Sequence, residues 1–143
     1  MTLSILAIKQ SKRDPQLLKT MQVYLGVVLF CILFDRIYAL FGHGVFSASM
    51  SFMFLYPLLL GCVPYFLLWL WIQKPEGIRH FSLLQTIWNA GIATLTIKSA
   101  LKGVFDIAGT SSPYLIYFTV LGIILLNVSL LFFLHDLRQI NSR

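Results

Sequence analysis

Apolar residues run along this chain in four long blocks, at about 21–41, 50–73, 81–104 and 114–134, separated by short polar connections. Each block holds about 20 positions, enough for a helix to cross a hydrocarbon core about 30 Å thick. The runs are continuous. A membrane strand would alternate apolar and polar residues over about ten positions, so the pattern predicts helices and not a barrel. Connections of about seven to nine residues force neighbouring helices to return alongside one another. The expected fold is therefore all-α and integral to the membrane: four transmembrane helices in an antiparallel up-down-up-down bundle.

The blocks are not equally uniform. Those at 50–73 and 114–134 carry no charge, whereas the first contains Asp35 and Arg36 and the third contains Lys98 and Lys102. The third also carries a polar stripe: Gln85, Asn89, Thr96 and Ser99 lie within about 80° of one another on a helical wheel, with Lys98 and Lys102 roughly 150° away. Amides and hydroxyls in lipid need partners, so the stripe is expected to form hydrogen bonds between helices. In the second block, Pro57 and Pro64 each remove a backbone donor, freeing the carbonyls of Met53 and Leu60 and predicting kinks. Tyr56 and Tyr65 stand beside these prolines, with aromatic packing as their expected role.

Composition agrees. Of 143 residues, 58% are hydrophobic and 11% charged, with a mean hydropathy of +0.82, against about 25% charged residues in soluble domains. Residues 1–143 read as a single membrane domain, with no room for a separate water-soluble one. Residues 1–20 form a basic segment that resembles a signal-anchor, and 135–143 a short tail.

The net charge of +6 would suggest nucleic acid in a soluble protein. Here the basic residues flank the spans, without the interleaved stacking aromatics of a nucleic-acid surface, and the expected partner is the lipid bilayer. Lys9, Lys12, Arg13, Lys19, Lys74, Arg79, Arg138 and Arg143 fall on one side of the four-span scheme. The positive-inside rule makes that side cytoplasmic, with both termini inside and the protein multi-pass in the cell membrane. The connections at about 42–49 and 105–113 then face outward.

Buried ionisable groups are expensive in a membrane, so they are the first candidates for function. Asp35, Arg36, Lys98 and Lys102 are expected in the outer half, with His43 and Asp106 in the adjoining loops. A carboxylate at Asp35 could pair with Lys98. The cations, together with the helix N-termini that face the same side, could alternatively accept an anionic ligand, or the long side chains could snorkel to headgroups. Ser112-Pro113 predicts a helix start, and Gly109 to Ser112 a polar turn.

Other chemistry finds no support. Cys31 and Cys62 form no CxxC pair and are expected as buried free thiols. His80 and His135 lie at span ends, where they do not suggest haem ligation. No HExxH, GxSxG or phosphate loop is present, so no metal, cofactor or catalytic residue is assigned. Three readings follow: a small binding or transport component with an outward anion-accepting cluster, possible as a homo-oligomer; an accessory subunit acting by helix contact with a larger membrane protein; and, with no motif behind it, an intramembrane enzyme.

Overall fold

A computed structural model describes residues 15–42, 46–71 and 81–141. His43, His80 and most of the basic residues used for orientation lie outside these segments. All secondary structure among the described residues is helical: α1 (Pro15–Phe41), α2 (Ala48–Ser51), a π-helical segment (Tyr56–Cys62), α3 (Val63–Trp71), α4 (Phe81–Ile107) and α5 (Leu115–Asn141). Three stretches are long and apolar enough to cross a membrane, namely Gln16–Phe41, Ala48–Leu70 and Leu115–Gln139, which marks a membrane protein. At 27 residues, α4 has the length. Its polar stripe and charged last turns dilute its hydropathy.

Helix limits extend past the apolar blocks. α1 is already helical at Pro15, six positions before the expected span. The last helix begins at Leu115, after a tight turn over Ser112 and Pro113, and runs through the expected tail to Asn141. Gly109 sets the end of α4. At φ 68° it lets the Thr110 N–H reach the Phe105 carbonyl (2.9 Å) and its own N–H reach Asp106 (3.2 Å), a Schellman cap.

The second span is wound unevenly around its prolines. Ahead of Pro57 the backbone tightens, with Met53, Leu55 and Tyr56 donating to carbonyls three residues back at 3.1, 3.1 and 3.3 Å. Beyond it the helix loosens into the π segment, where Val63 donates to the Leu58 carbonyl five residues back. Two missing donors seven residues apart leave no regular ladder to follow, so over- and under-winding redistribute the bonds. The Leu60 carbonyl, near the end of the π segment, accepts the Trp88 indole Nε1–H of α4 at 2.8 Å.

This broken span packs against α1 on one side and α4 on another, and α5 packs along α4. Small residues allow the close contacts. A Cβ on Gly61 would enter the ring of Tyr24. At the α4–α5 crossing, a Cβ on Gly91 would lie 2.9 Å from Leu126, and one on Gly122 2.7 Å from Leu95. The core gathers Leu17, Tyr24, Tyr65 and Ile92. Cys31 is buried and Cys62 half-buried, both as free thiols.

Candidate functional site

Three of the four stripe residues on α4 reach other helices. Asn89 is the centre. Its Oδ1 accepts the hydroxyls of Tyr24 from α1 and Tyr65 from α3, each at 2.7 Å. The two phenol rings stack with centroids 5.7 Å apart and 22° between planes, and Gly61 leaves room for the Tyr24 ring. Gln85 donates to the Thr20 hydroxyl of α1 at 3.2 Å, and Ser99 to the Ser49 carbonyl at 2.5 Å. Thr96 instead turns back to the Ile92 carbonyl of its own helix at 2.8 Å. Behind α4, the buried Ser129 of α5 donates to the Leu84 carbonyl at 2.8 Å.

Along α4 away from Asn89, the charged residues divide into two groups. Ser51 donates to Asp35 at 3.0 Å and Ser47 to Asp106 at 2.8 Å, so α1, the start of the second span and the end of α4 are strapped together. Both acids are thereby engaged by serine hydroxyls at the start of the second span. Ser47, at the position that would cap its own helix, makes no such bond and serves Asp106 instead.

Lys98 and Lys102 form the other group. They line one groove of about 620 Å³ together with Ser49, Ser99 and Tyr56, over a wall that includes Phe52 and Leu59. The expected Asp35–Lys98 pair is not made. Among the described residues the one contact within ion-pair range joins His135 and Asp136, which are sequence neighbours, at 3.8 Å. Arg36 is exposed and does not line this groove. The six candidate residues thus do not converge on one centre: two lysines share a groove, two aspartates are engaged by serines, Arg36 stands apart, and His43 is outside the described residues.

A second groove, of about 560 Å³, lies between α1 and α4 with the buried Met53 and Pro57 at its base. Asn89 lines it. α4 is held to α1 at Thr20 and Tyr24 and to the second span at Ser49.

Tyr24, Ser51, Trp88 and Ser129 were not singled out from the sequence. Tyr24 had a usable signal, since it is the single hydrogen-bonding side chain, apart from the thiol Cys31, between Gln22 and Asp35. Trp88 lies four residues past Leu84 on a helix already known to carry polar partners, yet nothing local ties it to Leu60. No family model, curated protein or solved structure matches this chain.

Proposed function

We propose that the chain crosses the bilayer four times with both termini in the cytoplasm, and that it is a binding or transport component accepting an anionic amphiphile at the groove of Lys98 and Lys102. The observation that carries this reading is the groove itself. Two cations one helical turn apart share a cleft with Ser49, Ser99 and Tyr56, and no carboxylate stands within 4 Å of either lysine among the described residues. Paired lysines suit a phosphate or carboxylate, and the apolar wall suits an attached chain.

The reading narrows the sequence expectation. Asp35 and Asp106 leave the anion site because serine hydroxyls engage them, and Arg36 becomes dispensable. Helix contact with a larger membrane complex is the alternative. Exposed apolar side chains on α5 do not select it, because every lipid-facing helix has them.

The test is thermal stability of the purified protein in a neutral detergent, with added lysophosphatidic acid or dodecyl phosphate against uncharged decylbenzene. The anionic probes should raise Tm, and the double variant Lys98→Ala/Lys102→Ala should lose the effect while Arg36→Ala keeps it. Equal stabilisation of the wild type and the double lysine variant would overturn the reading.

A further inference from the structure

The groove between α1 and α4 is chemically unlike the lysine groove. Its α1 wall presents Val27, Phe30 and Phe34, its α4 wall Ala93, Ile97 and Ala100, and none of its lining residues carries a charge. From Asn89 to Ala100 the α4 wall is about 16 Å long, room for an extended decyl chain.

At one end stands Asn89. Its Oδ1 is already shared by two phenols, so the group left to act is the amide Nδ2, with two N–H donors. Nδ2 has no protein partner among the described residues. Nor is it sealed from its surroundings, since the one sealed polar atom without a partner among them is Asp136 Oδ2. The neighbouring polar groups do not compete for it: Thr20 donates to the Gln16 carbonyl at 3.0 Å and accepts from Gln85, and Thr96 is bonded to Ile92. Two amide hydrogens facing an apolar cleft at membrane depth are costly unless an acceptor arrives with the occupant.

The geometry points to a site for a neutral single-chain amphiphile, whose carbonyl oxygen accepts the Asn89 amide hydrogens and whose chain lies between Phe30 and Ala93. Charge is not needed and would be penalised there. Small residues at positions 93 and 100 create the space, and Phe30 and Phe34 of α1 line the facing wall. Two sources supply this chemistry: the head of a long-chain quinone, or the ester carbonyl of a glyceride. The proposal is independent of the lysine groove, since it involves different walls and an uncharged ligand.

Binding is measured by native mass spectrometry of the detergent-solubilised protein with decyl-1,4-benzoquinone, monododecanoylglycerol and decylbenzene, which has the chain but no oxygen. At least one carbonyl probe should bind about tenfold more tightly than decylbenzene, as expected for one or two hydrogen bonds. The stronger of the two identifies the source. Ala93→Phe fills the groove and leaves the Tyr24–Asn89–Tyr65 contacts in place, so it should remove binding without altering the elution profile. Asn89→Leu, if it folds, should bring the carbonyl probe down to the decylbenzene level. Equal binding of all three probes to the wild type, or wild-type affinity in Ala93→Phe, would overturn the proposal. So would a wild-type dimer that binds no probe and is split by Ala93→Phe, which would give the groove to a second copy of the chain.

Discussion

Asn89 and the Lys98–Asp106 region lie on one helix and hold their polar groups in opposite ways. At Asn89, side chains from α1 and α3 are brought to one oxygen of α4, so three elements meet there. Around Asp106 the acids take serine hydroxyls, while the nearby lysines make no ion pair among the described residues. Opposite charges at similar depth were available to pair and did not. The difference teaches that polarity in a membrane bundle has two uses: closed arrangements hold helices together, and open ones leave groups for something else to meet.

Substitutions can break this comparison. The largest expected effect is at Gly61, where Gly61→Ala drives a methyl into the Tyr24 ring and should cost about 3 kcal/mol by overpacking. Reversible unfolding in mixed micelles measures it. Asn89→Leu leaves two phenols without their acceptor and should cost about 2 kcal/mol. Adding Tyr24→Phe and Tyr65→Phe should recover part of that loss, because no unpaired hydroxyl remains.

Smaller effects sharpen the contrast. Ser51→Ala removes the donor to Asp35 and should cost about 1 kcal/mol in the same assay. A cost above that of Asn89→Leu would reverse the ranking of the two regions. Trp88→Phe orphans the Leu60 carbonyl and should cost about 0.6 kcal/mol, the usual value of an interhelical hydrogen bond in lipid. The double variant Lys98→Ala/Lys102→Ala should leave the melting temperature of the ligand-free protein within error. A clear loss would mean that the lysines serve the fold and not a ligand.

Much of the architecture is legible along the chain because the bilayer imposes it. About 20 apolar residues are needed to cross a hydrocarbon core, so the four blocks, and the helical state of each, follow from length and continuity. The prolines announced their effect too. A donor was expected for the Leu60 carbonyl, and Trp88 supplies it. The polar stripe on α4 marked its inward face, because an amide facing lipid would go unmet.

Which partners those groups meet was decided only in three dimensions. Lipid tails are as apolar as leucine, so the buried face of α1, with Leu17, Tyr24, Val28 and Cys31, has no hydrophobic contrast with its exposed face, where Leu29 and Phe30 lie. Hydrophobic periodicity therefore does not say how α1 is turned. The rotation of α1 is set instead by the few polar tips and by Gly61, which lets one ring approach. The same reason separates Asp35 from Lys98: the sequence placed them at similar depth, but depth does not fix azimuth, and the turn of each helix gave Asp35 to Ser51 and Lys98 to an open groove. Length and polarity set an expected depth for each residue; packing around Pro57, Gly61 and Asn89 decided what it faces.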